Sequence, residues 1–293
     1  MSSTHGGYYV PEPSHWPVVG SIGLFLTTGG FAMALPANAG DPMGSLAAMY
    51  IGFGILTVML FGWFGTVIRE SESGLYNAQV DRSFRMGMSW FIFSEVMFFA
   101  AFFGALYYMR MYSIDWLGGG GNNVSTHDWL YPAYEAAWPT NGPGNVGGDY
   151  QVMGAWGLPA INTLILLMSG VTVTWAHWGL KKESRGQLIM GLFLTVALGF
   201  TFVGLQAWEY MHAYGELNLK LSSGAYGSTF YMLTGFHGLH VTIGAIMLTV
   251  VLLRSMKGHF TEENHFAFEA AAWYWHFVDV VWLGLFIFVY WLV

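Results

Sequence analysis

Apolar residues fall into seven long runs, separated by short polar or Gly/Pro-rich segments: 16–35, 46–68, 86–109, 158–178, 187–211, 226–253 and 270–293. Each is long enough to cross a hydrocarbon core about 30 Å thick at about 1.5 Å of rise per helical residue. Membrane strands would alternate apolar and polar positions over about ten residues, whereas these runs are unbroken. The pattern therefore predicts an all-α integral membrane protein with seven transmembrane helices. Trp16, Tyr107, Tyr108, Trp178, Tyr226 and Trp273 stand near the run ends, where interfacial aromatic rings collect.

Basic residues orient the runs. With the N-terminus on the cytoplasmic side, the inner segments hold Arg69, Arg82, Arg85, Lys181, Lys182, Arg185, Arg254 and Lys257, against Arg110 and Lys220 outside. That asymmetry predicts a cytoplasmic N-terminus and a C-terminus on the outer side. The outer segments carry Asp41, Asp115, Asp128, Glu135, Asp149 and Glu216, an acidic face read either as simple solubility or as a surface that attracts a basic partner. Residues 110–157 form the one long connection, rich in Gly and Asn, and read as an irregular outer cap. The expected division is 1–68 for the N-terminal segment and first two spans, 69–85 for an inner loop, and 86–293 for the remaining five spans.

Composition narrows the chemistry. Only 9% of the 293 residues are charged, against about 25% in soluble domains. The net charge of −7 argues against a nucleic-acid partner. The absence of cysteine excludes disulfides, thiolate zinc sites, iron–sulfur clusters and cysteine-held copper. No lysine lies within a run, so a retinal Schiff base has no attachment point.

The ionisable residues inside the runs are the candidates for function. Glu95, His237 and Asp279 all fall near mid-membrane, roughly 14–16 Å from a run end by helical rise, with His240 and His276 nearer the inner leaflet. His237/His240 and His276/Asp279 are each spaced i, i+3 and share a helix face, so antiparallel neighbours would match His237 with Asp279 and His240 with His276. The bland reading is a buried hydrogen-bond network that fixes helix register. The sharper ones are a proton-handling role for Glu95 or a His/carboxylate metal site. Glu209-x-x-His212 and Glu262-x-x-His265 imitate a di-iron signature, but the predicted topology puts them about a membrane thickness apart.

Longer motifs carry a family resemblance. Residues 226–244 read YGSTFYMLTGFHGLHVTIG and residues 266–283 read FAFEAAAWYWHFVDVVWL. The third run carries MGMSWFIFSEVMFFAAFF, the fourth INTLILLMSGVTVTWAHW and the fifth GLQAWEY, with WPVVGS opening the first run and VIRES closing the second. Together these resemble subunit III of the haem-copper cytochrome c oxidases, through all seven runs. The opening MSSTHGGYYVPEPSHWPVVGS and the long 112–156 segment resemble bacterial forms more than mitochondrial ones, which implies a bacterial plasma membrane.

The resemblance implies a fold in which helices one and two are separated from helices three to seven by a V-shaped, lipid-filled cleft. It implies a non-catalytic core subunit of a proton-pumping oxidase in aerobic respiration, with haem and copper in partner subunits and no cofactor or metal bound by this chain beyond structural phospholipids. Subunit I would be the main partner, subunit II a further one, and cytochrome c the substrate of the complex. Lipid contacts carry over to Arg69, Glu70, Arg254, Lys257 and His259, and the carbodiimide-reactive carboxylate to Glu95. The alternatives are subunit III of a quinol oxidase or nitric-oxide-reductase relative, which typically lack the first two helices, and a proton-coupled transporter using Glu95, His237 and Asp279.

Overall fold

The computed structural model describes residues 9–35 and 42–293. Asp41 of the acidic set and the first eight residues lie outside the described residues. Among the described residues there is no strand, and seven helices are long and apolar enough to cross a membrane. The chain divides into two compact units, Met1–Phe84 and Arg85–Val293.

The first unit is built on a hairpin of α1 (Trp16–Ala34) and α2 (Pro42–Glu72). A proline in the first turn starts α1, where its missing N–H costs nothing. The two helices pack through small residues, because two backbones can approach closely only where side chains are absent. A Cβ on Gly30 would lie 2.6 Å from the Met49 backbone nitrogen, and one on Gly52 would lie 2.5 Å from that of Thr27. Near the other end of the hairpin the Trp16 ring lies over Gly62, and its Nε1–H donates to the Thr66 hydroxyl at 3.4 Å. Most of the apolar surface faces outward: Phe25 is 75% exposed and Phe61 71%.

The 69–85 segment is not the loop expected from the polar residues it carries. Helix α2 continues to Glu72 and α3 (Ala78–Tyr108) begins soon after, leaving only 73–77 between them. Polar residues there are helical because a spanning helix needs no apolar sequence once it leaves the hydrocarbon. Asn77 caps α3, its side-chain oxygen accepting from the N–H groups of Gln79 and Val80. Tyr76 donates to Glu70 at 2.8 Å, and burial followed by that bond pushes the phenol above its ordinary pKa.

In the second unit α3 passes through a π-helical turn, Met109–Ser113, into the short α4 (Ile114–Leu117) and then α5 (Val124–Leu130). The expected irregular cap thus contains short helical pieces at its start, and is irregular between α4 and α5 and again beyond α5. It is tied down rather than loose: Tyr226 N–H donates to Thr140 O, Gln151 N–H to Leu217 O, and the Asn218 amide to Gly147 O and Asp149 O. Tyr150 stacks on Tyr226 with centroids 5.7 Å apart. Burial pushes the Tyr150 hydroxyl up to about 12.

The bundle proper consists of α6 (Leu158–Lys181), α7 (Arg185–Gly215), α8 (Gly224–Lys257) and α9 (Phe266–Leu285), closed by a second π-helical turn, Phe286–Trp291. Helix α9 lies deepest; 61% of its apolar stretch is buried, against 33% for α6 and for α7. Two tryptophans fill the core. Trp275 lies between Gly199 of α7 and Gly244 of α8 and donates to Ser169 Oγ at 2.9 Å. Trp282 donates to Thr163 Oγ1 at 2.9 Å and meets Phe202 edge-on at 4.7 Å. Each indole N–H therefore finds a hydroxyl on α6, as a buried donor must. Helix α8 ends on Gly258 in the left-handed region (φ 79°), whose N–H closes on the Arg254 and Ser255 carbonyls.

Candidate functional site

The intramembrane polar residues separate into distinct clusters. Glu95 of α3 faces His240 of α8, with Oε2 2.8 Å from Nε2. His240 Nδ1 lies 2.6 Å from the Phe236 carbonyl. A carbonyl only accepts, so Nδ1 carries a proton, and a neutral imidazole would then turn a lone pair toward the carboxylate. A bond between Nε2 and Oε2 therefore requires a second proton on that line, shared by acid and imidazole. Phe98 and Phe99 lie 5.8 and 5.0 Å from the imidazole, and Tyr274 and Phe277 complete an aromatic sleeve around it.

His237, fully buried, faces elsewhere. Its Nε2–H donates to the Val278 carbonyl of α9 at 3.0 Å, and its ring lies against Trp282 and Phe202. Three residues along a helix turn the side chain by about 60° from alignment, enough for His237 and His240 to address different neighbours. The expected pairs of His237 with Asp279 and His240 with His276 do not form for this reason. His276 instead bonds Thr174 of α6 at 3.2 Å and lies 3.6 Å from Asp279 Oδ2. Asp279 is accommodated by Gly170, where a Cβ would come within 2.5 Å of Oδ2. Glu95, His237 and Asp279 thus have three different partners and do not converge on one binding site.

The expected lipid contacts lie at helix ends. Arg69 donates to Thr66, and Glu70 accepts from Tyr76, both within the first unit. In the second unit Arg254, Lys257 and His259 occupy the last turn of α8 and its exit. Lys257 is exposed; Arg254 is 9% exposed, its guanidinium 4.6 Å above the Phe260 ring.

Two clusters escaped the sequence reading. Glu209, assigned there to the end of the fifth span, is 1% exposed and accepts from the Tyr290 hydroxyl at 2.7 Å. It lies inside α7, which runs on to Gly215, and Tyr290 from the chain's last turn covers it. The other cluster joins Arg85 of α3, His177 of α6, and His265 and Glu269 at the start of α9. Arg85 donates to Glu269 Oε2. His265 Nε2 lies 3.2 Å from Glu269 Oε1 and 3.5 Å from His177 Nε2. Among the described residues, His177, His265 and Glu269 form the one group with donor atoms close enough to share a metal ion. His265 therefore pairs with Glu269, one turn ahead on α9, and the Glu262-x-x-His265 spacing has no structural counterpart.

Known proteins align with this chain along nearly its whole length. A family model described as Cytochrome c oxidase subunit III matches residues 6–129 and 130–293. The curated Cytochrome c oxidase subunit 3 of Tetraodon nigroviridis is 41% identical over 292 residues, covering 99% of this chain and 99% of the relative. That of Squalus acanthias is also 41% identical, with the same coverage. That of Equus caballus is 40% identical over 291 residues, covering 98% and 97%. The expectation of a bacterial form is not borne out, since animal relatives align over nearly the full length of both chains. Of the segments that prompted it, the long connection is a loop region, where sequence varies readily.

Proposed function

The chain belongs to the cytochrome c oxidase subunit III family, and from that premise we propose how it serves the oxidase complex as a multi-pass membrane subunit. In this reading it carries no redox centre and acts as a non-catalytic stabiliser. It packs against subunit I, with subunit II in the same complex, and supports proton uptake for oxygen reduction. The observation that carries the proton role is the Glu95–His240 bond, which requires a proton held within an aromatic sleeve. A group that stores a proton in an apolar setting can buffer a nearby uptake surface without taking part in the redox chemistry.

The basic helix ends would face the side from which protons are taken up, with the N-terminus on that side. Arg69, Lys257 and the His259 region would meet phospholipid headgroups, where cations pair with phosphate. Cytochrome c is the favoured electron donor over quinol, because the α1–α2 hairpin that quinol-type relatives typically lack is present.

The test is Glu95→Gln in the assembled oxidase. The amide cannot form the carbodiimide adduct, so labelling of this chain should disappear, while oxygen reduction at low turnover stays near wild type. Proton uptake should slow, and inactivation during turnover should come sooner. Unchanged uptake rates and unchanged inactivation lifetimes would remove the proton role; complete loss of turnover with assembly intact would make Glu95 a participant in the chemistry.

A further inference from the structure

We propose that His177, His265 and Glu269 form a binding site for a divalent transition metal of the zinc class, at the end of the bundle that carries Lys181, Arg185 and Lys257. Donor atoms about 2.0–2.1 Å from a tetrahedral zinc lie about 3.3–3.4 Å from one another. The three separations found here are 3.2 Å (His265 Nε2 to Glu269 Oε1), 3.5 Å (His177 Nε2 to His265 Nε2) and 3.6 Å (His177 Nε2 to Glu269 Oε1). Three donors from two helices already occupy one triangular face of such a tetrahedron.

The surroundings are those of a prepared ligand set. His265 Nδ1 lies 3.1 Å from the Thr261 carbonyl, which can only accept, so a neutral His265 presents the lone pair of Nε2 inward. Glu269 keeps Oε1 for the site because Arg85 occupies Oε2. Without a cation, the His265 lone pair and a carboxylate oxygen would face each other at 3.2 Å, an arrangement that needs a proton or a metal between them. His177 stands against Phe268 with ring centroids 5.3 Å apart and has a quarter of its side chain exposed, which supplies both a rigid wall and an entry path. Two imidazoles and a carboxylate suit zinc, and they leave a fourth position for water or an anionic oxygen. The residues come from separated places in the chain, so no spacing motif announces them. Such an ion would tie the exit of α6 to the entry of α9, independently of the proton role assigned to Glu95.

The probe is Zn²⁺ itself, titrated into the purified oxidase complex after loosely held zinc has been removed by a chelator. Bound zinc per complex, the zinc X-ray absorption spectrum and the thermal transition are measured for wild type, His177→Gln and His265→Gln. Wild type should take up one more equivalent of tight zinc than either variant, with affinity at this site falling at least about a hundredfold when a ligand is lost. The difference spectrum should show a nitrogen/oxygen shell near about 2.0 Å. Zinc should raise the thermal transition of wild type alone, as expected of a ligand bound only by the folded form. His177, being partly exposed, keeps the test alive if His265→Gln does not assemble. Equal zinc stoichiometry and affinity in wild type and His177→Gln, or no uptake by wild type, would overturn the site and leave a histidine–carboxylate–arginine network.

Discussion

The α1–α2 hairpin and the α6–α9 bundle solve the same problem with different means. Only 6% of the apolar stretch of α2 is buried within the chain, whereas 61% of α9 is. The hairpin has almost no interior, and its cohesion comes from backbones brought together at Gly30 and Gly52. The bundle has a true core, in which Trp275 and Trp282 fill volume and anchor by hydrogen bonds. In lipid, tails are as apolar as leucine, so burial alone does not drive helix association. Close packing and satisfied polar groups must do so, and the two units draw on these in opposite proportions.

The comparison breaks first at Trp275. Trp275→Ala should cost about 3–5 kcal/mol through the lost packing and the cavity left behind, seen as a lower thermal transition of the complex and loss of this subunit on detergent washing. If the change is no worse than a surface substitution, the bundle is not held by its core. Gly30→Leu probes the hairpin and should cost about 1–3 kcal/mol, since the added side chain meets the backbone of Met49 and Ser45. Gly29→Leu is its control, because a Cβ there meets nothing within 4 Å. Faster hydrogen exchange in α1 and α2 for the first variant alone would sharpen the claim that close approach is the adhesive; similar exchange in both would end it.

The smallest effect is expected at the edge of the hairpin. Tyr76→Phe removes one donor to Glu70 and should cost about 1 kcal/mol, read as faster proteolysis in the 73–77 connection. The phenol's pKa is raised in the folded state, so its contribution is fully present below the unfolded value of about 10 and is lost only as the pH climbs through the folded one. Between about pH 6 and 9 the phenol's own ionisation should therefore add no pH dependence to the stability difference between wild type and the Tyr76→Phe variant.

Much of this was legible in the sequence. Seven unbroken apolar runs point to seven helices, because barrel strands, the other structure that satisfies backbone groups in hydrocarbon, would alternate apolar and polar positions. The helix ends were less legible: α2 and α3 extend into Glu72 and Ala78 through residues as polar as any loop. Glu95 stood out as a lone carboxylate in FSEVMFF, but its partner did not. Depth along a helix can be counted, whereas which side chains meet depends on which helices are neighbours and on a rotation of about 60°. The pairing of His265 with Glu269 is an ordinary i, i+4 relation. Its third member, His177, is 88 residues away and enters only through the packing of α6 on α9.

The division at Phe84 and Arg85 has a consequence in time. At roughly 5–20 residues per second of synthesis, the 209 residues that follow Phe84 (293 less 84) take on the order of 10–40 s to make. For that interval the hairpin exists without the finished bundle, and its glycine-lined contact joins two helices that are already made. A pair of helices that closes on itself through backbone fit, and asks for no core, is suited to wait.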